Sequence, residues 1–169
     1  WASLRPRGAS WALARIGLGE RGRGDAPGAG VHVYVLDTGI LAAHEEFNGR
    51  VVPTLDLTRT GKVEECQLAD AECATDRHGH GTAVASVAGG RTLGVASGAT
   101  LHAVKVLRDD MTGNMAWVAA AIDWIMSNGV RPMVLSLSMG RQARRTLQLL
   151  GQVEFRGSVG VIVAAGDGP

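Results

Sequence analysis

From residue 31 onward, short apolar runs rich in β-branched residues alternate with longer segments of helical periodicity, and this alternation constrains the fold more than any other feature. The run at 31–36 (VHVYVL) is apolar enough to be a central strand covered on both faces, and those at 101–107 (LHAVKVL), 133–137 (MVLSL) and 159–165 (VGVIVAA) read as further strands. Between them, 82–89 (TAVASVAG) reads as a tightly packed helix of small residues. Residues 115–128 (MAWVAAAIDWIMSN) read as an amphipathic helix stopped by Gly129, and 142–156 as a further helix. Strands and helices in this order predict an α/β domain with a mainly parallel sheet. Residues 1–29, interrupted by Gly22, Gly24 and Gly28, are expected to be an arm and loop ahead of a domain at 30–169. Within that arm, 11–16 (WALARI) could dock one short helical turn through Trp11, Leu13 and Ile16.

At 169 residues the chain has the size of one domain. Its 17 basic and 16 acidic side chains nearly cancel, so net charge gives no reason to expect nucleic acid or an anionic membrane as partner. The longest apolar stretches, such as 159–165, fall far short of the roughly 20 residues that a bilayer-spanning helix needs. No membrane span is expected. The chain opens on Trp1 without a signal-peptide pattern, which reads as a processing site or a cut. Cys66 and Cys73 flank a short polar segment. They are candidates for a disulfide in an oxidising compartment or for two free thiols, and are too few for a structural zinc site.

Ligands of open parallel sheets bind beyond the carboxyl ends of the strands. Asp37, the triplet Ser138, Met139 and Gly140, and Asp167 all follow predicted strands. Taken singly, each is better read as a turn or helix cap. A second signal is 76–82 (DRHGHGT), which puts His80 between Gly79 and Gly81 just ahead of the small-residue helix. The glycines remove bulk beside the imidazole and allow a second group to approach it. His78, two positions away, raises the question of a metal, but no glutamate-containing zinc motif accompanies the pair, so no metal site is assigned.

In combination these segments resemble the subtilisin-like serine proteases, the proteinase K-like branch in particular. The resemblance is carried by 33–40 (VYVLDTGI), 44–47 (HEEF), 78–85 (HGHGTAVA), 104–107 (VKVL), 135–140 (LSLSMG) and 161–166 (VIVAAG), in family order. It implies the family's three-layer α/β fold, incomplete at the carboxyl end of this chain, and a serine-type endopeptidase in which Asp37 and His80 are two of three triad members. It also implies that Ser138, Met139 and Gly140 pair with the substrate backbone, and that Met111, Thr112 and Gly113 offer a second backbone edge. The implied partners are a peptide or protein substrate and a propeptide, and the implied location is the secretory pathway. No cofactor is needed for the chemistry. A structural calcium belongs to the complete domain, with no ligand assigned in this segment.

The chain departs from the family pattern in three places. Asp167 stands where the family has the asparagine that donates to the oxyanion, and an ionised carboxylate there would repel the developing charge. Ala83 and Ser86 replace a commonly seen histidine and glycine. The family's Gly-Thr-Ser motif is absent from the 169 residues. The chain alone is therefore expected to be inactive, with a non-catalytic pseudoprotease or protein-binding module on the same scaffold as the alternative. A nucleotide-binding α/β domain is disfavoured, because no strand opens into a complete phosphate-binding glycine motif.

Overall fold

The computed structural model describes residues 11–16, 18, 26–67, 69–138, 148, 150–151 and 157–163. Five strands, β1 (His32–Asp37), β2 (Val51–Asp56), β3 (Thr100–Lys105), β4 (Met133–Leu137) and β5 (Val159–Val163), form one sheet in the order β2-β3-β1-β4-β5. Every neighbouring pair runs parallel. Helix α1 (Trp11–Arg15) precedes the sheet, α2 (His80–Gly89) connects β2 to β3, and α3 (Met115–Asn128) connects β3 to β4.

Alternation along the central strand sorts the core into two layers. Val33 and Val35 of β1 join Leu101, Ala103 and the α2 residue Ala85 on one face. Tyr34 and Leu36 join Val104, Leu135 and the α3 residues Val118, Ile122 and Ile125 on the other. A strand buried on both faces has no polar side to present, which is why the run at 31–36 carries no polar/apolar alternation. Helix α3 starts where the Asn114 side chain accepts from Ala116 N–H at 2.8 Å, and ends where Gly129 N–H donates to Ile125. Both ends are local signals that the sequence displays.

The structure corrects four details. Strand β2 carries Pro53, which hid it in the sequence; it lies at the sheet edge beside β3 only, where a residue without an N–H is tolerated, and its register shifts between Pro53 and Leu55. Helix α2 begins at His80 rather than after it. Strand β3 ends at Lys105, and Leu107 instead forms an isolated antiparallel bridge with Gly113. In α1 Leu13 is buried, whereas Ile16, just past its end, is exposed. Most of the helix expected over 142–156, and residues 164–165 of the last strand, lie outside the described residues.

The chain moves from β1 outward to β2, returns through β3, then crosses to β4 on the far side of β1. Both helical connections run the same way along the sheet, yet α2 packs on the Val33 and Val35 face and α3 on the Tyr34 and Leu36 face. The two crossovers therefore have opposite hands, one of them the rare left-handed kind. The strand order reverses about β1, and a crevice at the carboxyl ends of the strands is expected there.

Candidate active site

Asp37 is the last residue of β1 and is fully buried. Its Oδ1 accepts from the Thr38 N–H at 2.7 Å and lies 2.8 Å from Nδ1 of His80, the first residue of α2. A carboxylate can only accept, so Nδ1 is the protonated nitrogen of the neutral ring and Nε2 holds the free lone pair. The His80 side chain is 34% exposed, whereas Asp37 is fully buried. Asp37 Oδ2 is buried with no hydrogen-bond partner among the described residues.

Two glycines bring the helix and the strand end this close. A Cβ on Gly81 would overlap the Gly39 carbonyl and stand 3.1 Å from Asp37 Oδ1. Gly39 has φ +101°, and a Cβ there would overlap the Ala74 carbonyl. The first turn of α2 therefore rests directly on the Asp37 turn, with the positive end of the helix dipole toward the carboxylate.

Asp76 organises the surroundings of that contact. Its Oδ1 accepts from the Thr38 hydroxyl at 2.9 Å and from the N–H groups of His78 and Gly79 at 3.0 and 2.8 Å. Its Oδ2 accepts from the Thr82 N–H and hydroxyl at 2.9 and 2.6 Å. The Thr38 hydroxyl in turn accepts from Gly81 N–H at 3.0 Å. One carboxylate thus caps the open end of α2, fixes the loop before His80 and binds the residue after Asp37. Burial pushes the Asp76 carboxyl up, but the donors from Thr82, Gly79 and Thr38 together outweigh it and hold it below the usual carboxylate range.

A hairpin adjoins the pair. Val106 and Leu107 both donate to the Asp37 carbonyl, and Gly113 closes the hairpin against Leu107. A Cβ on Gly113 would stand 2.5 Å from Leu107 Cδ2 and 2.8 Å from the Val106 carbonyl, so no side chain fits there. Asp110 Oδ1 accepts from the N–H and hydroxyl of Thr112 at 2.9 and 2.6 Å; that hydroxyl first, then the N–H, keeps its carboxyl low. Met111, at the tip, has φ +66° and is exposed. Under the hairpin, the buried Lys105 ammonium donates to the Thr38 carbonyl at 2.5 Å and to Asp109 Oδ1 at 2.6 Å.

Among the other residues singled out from sequence, Ser138 follows β4 and is half-buried, while Met139, Gly140 and Asp167 lie outside the described residues. Cys66 and Cys73 form a disulfide with a Cα–Cα distance of 5.4 Å. His78 Nδ1 accepts from His80 N–H at 3.3 Å, and no cluster of three or more metal-ligating side chains occurs among the described residues. Beside the His80 loop an open cavity of about 500 Å³ is lined by His78, Thr82, Leu41 and the two unusual residues Ala83 and Ser86. Sequence reasoning missed the organising roles of Asp76, Thr38 and Lys105. Asp76 stood inside the histidine segment and Lys105 was a lone charge inside an apolar strand, and each signal was on view.

A buried carboxylate 2.8 Å from Nδ1 of a partly exposed imidazole, at the carboxyl ends of a parallel sheet, has the geometry that the orienter and base of a serine-type hydrolase relay would need. The chain belongs to the Subtilase family, whose model matches residues 28–169. It is similar to the extracellular serine proteinase of Thermus sp. (strain Rt41A), with 41% identity over 94% of this chain and 38% of that protein. It is also similar to alkaline serine exoprotease A of Vibrio alginolyticus, with 34% identity over 98% of this chain and 30% of that protein. Among solved structures, a cold-adapted subtilisin-like serine proteinase superposes with a TM-score of 0.66 and 30% identity, covering 82% of this chain and 47% of that one. The chain therefore spans less than half the length of these relatives.

Proposed function

We propose that this chain supplies the Asp-His part of a serine endopeptidase triad, with the nucleophilic serine coming from a segment outside the 169 residues. The observation that carries this reading is the 2.8 Å contact between buried Asp37 and His80 Nδ1 in a chain of the Subtilase family. In that role Nε2 of His80 takes the serine hydroxyl proton as the oxygen attacks the peptide carbonyl. Asp37 stabilises the imidazolium, and the proton passes to the departing amine. The peptide lies as an added strand between Met111, Thr112 and Gly113 on one side and Ser138, Met139 and Gly140 on the other. Asp167, where the family has an amide donor, lowers the rate; loss of that donor costs roughly 100- to 1,000-fold in subtilisin, a member of the same family. The chemistry needs no cofactor, and a structural calcium belongs to the complete domain. The Cys66–Cys73 disulfide and the names of the relatives support a secreted protein. No helix among the described residues is long and apolar enough to cross a membrane.

Among the described residues no serine hydroxyl bonds to the His80 ring; that of Ser86 is spent on the Ala83 carbonyl. The 169-residue chain alone is therefore inactive in this reading. Asp167 favours a second reading, a non-catalytic peptide-binding protein on the same scaffold. Casein hydrolysis and fluorophosphonate labelling separate the two. Both are measured on the chain alone and on the chain joined in frame to the remaining portion of the Thermus relative. The first reading predicts silence from the chain, activity from the fusion, and loss of that activity in His80→Ala. Hydrolysis that survives His80→Ala would overturn the assignment, and a folded fusion that binds peptide without cleaving it would favour the second reading.

A further inference from the structure

Lys105 is the last residue of β3 and lies in register opposite Asp37. Its side chain is only 5% exposed, and an ammonium is kept out of water only where acceptors replace its hydration. The two acceptors it has belong to different parts of the site. The Thr38 carbonyl, at 2.5 Å, is part of the turn whose N–H holds Asp37 and whose hydroxyl meets Asp76 and Gly81. The Asp109 carboxylate, at 2.6 Å, belongs to the hairpin that ends in Met111, Thr112 and Gly113. Asp109 Oδ2 also lies 3.8 Å from Arg77, in the loop that delivers His80, and Arg77 pairs in turn with Glu72. These last two pairs are exposed and contribute little on their own. Lys105, by contrast, is buried and bonded to both the hairpin and the turn.

We infer that Lys105 is a positioning residue that couples the peptide-binding edge to the catalytic pair, its ammonium tying Asp109 of the hairpin to the Thr38 carbonyl. A peptide strand added at 111–113 stiffens the hairpin, and through Lys105 it stiffens the turn that aims Asp37 at His80. The coupling half of this inference rests on the proposed peptide edge. The positioning half does not.

The test uses the ¹⁵N-labelled 169-residue chain and follows the His80 Nδ1 proton by NMR. Without peptide, Lys105→Met is expected to speed exchange of that proton with water by about tenfold, the equivalent of one charge-assisted hydrogen bond. Lys105→Arg, which keeps the donors, restores slow exchange; Asp109→Asn, at a partly exposed side chain, speeds it less and carries the same test should Lys105→Met not fold. Unchanged exchange in folded Lys105→Met and Asp109→Asn overturns the positioning role. N-acetyl-tetraalanine is then titrated. In the unsubstituted chain it should shift the amides of Thr112 and Gly113 and the His80 proton; in Asp109→Asn it should shift the amides alone. Equal movement of His80 in both overturns the coupling. If the Thr112 and Gly113 amides do not respond in the unsubstituted chain, the proposed peptide edge fails and the coupling with it, while the peptide-free exchange still decides whether Lys105 positions Asp37.

Discussion

Asp37 and Asp56 show how little a single residue's surroundings in sequence reveal. Both end strands and both stand within two positions of a threonine. Asp56 serves structure: one oxygen accepts from the N–H and hydroxyl of Thr58, while the other accepts from Ala74 N–H and forms an ion pair with Arg59 at 3.4 Å. Asp37 instead spends one oxygen on Thr38 N–H and the His80 ring. Asp76 shares the structural role of Asp56 on a larger scale, because three N–H groups and two hydroxyls converge on it. Replacement by asparagine turns half of this acceptor into a donor facing other donors, so Asp76→Asn is expected to destabilise the fold by about 2 kcal/mol. The folded state holds this carboxyl below its usual range, so its contribution is present above the ordinary carboxylate pKa and is lost as pH falls through the lowered value. Urea unfolding should show a gap between Asp76→Asn and the unsubstituted chain at pH 7 that narrows at pH 3; a gap that does not change with pH would mean that the carboxylate charge contributes nothing. Gly81→Ala should act on the pair itself. Its new methyl meets the Gly39 carbonyl, so the His80 Nδ1 proton loses its hydrogen-bonded NMR position at a cost of about 1–3 kcal/mol in stability.

Elements were readable from sequence where local signals agreed with burial, and were missed where the fold overrode them. Helix α3 shows its apolar periodicity and its Gly129 stop, and β1 shows an unbroken apolar run. Strand β2 reads as non-strand because Pro53 breaks the propensity, and only its place at the sheet edge makes that residue acceptable. Asp37 and His80 were legible through the company of their motifs in chain order. The hydrogen bonds that hold them join positions about 40 apart, which no local pattern encodes. The hairpin over 107–113 falls between these cases. Its Asp110-Met111-Thr112 turn is sequence-like, yet Met111 holds a left-handed conformation that costs a side-chain-bearing residue about 1–2 kcal/mol. Such strain is common where a loop is shaped for binding. Met111→Gly should therefore raise the thermal midpoint while weakening binding of a peptide with apolar side chains. A lower midpoint would show that packing of the methionine outweighs its backbone strain.

Across the whole molecule, imidazoles stand at the two ends of the same central strands and are treated in opposite ways. At the carboxyl end His80 is partly open. Toward the amino end His102 is buried, stacked on Tyr34 at 4.2 Å, with Nε2 2.9 Å from His32 Nδ1 and Nδ1 2.9 Å from the Thr54 hydroxyl. That hydroxyl donates to the Val52 carbonyl, so it accepts from His102 Nδ1–H, and His102 Nε2 accepts from His32 Nδ1–H. A second proton on His102 would point at the proton it now accepts. Burial first, and the charge of His32 second, lower its pKa from 6.5 to about 4. The unfolded chain therefore takes up this proton at a higher pH than the folded one. Stability is complete above pH 6.5, falls as pH drops toward 4, and flattens below that, for a total of about 3 kcal/mol from this residue. His102→Phe keeps the ring stack on Tyr34 and removes the titration. Denaturant midpoints taken between pH 7 and pH 4.5 should slope downward in the unsubstituted chain and lie flatter in the variant. Equal slopes would place the acid sensitivity elsewhere, and would mean that the amino end of the sheet tolerates a charged histidine that its hydrogen bonds argue against.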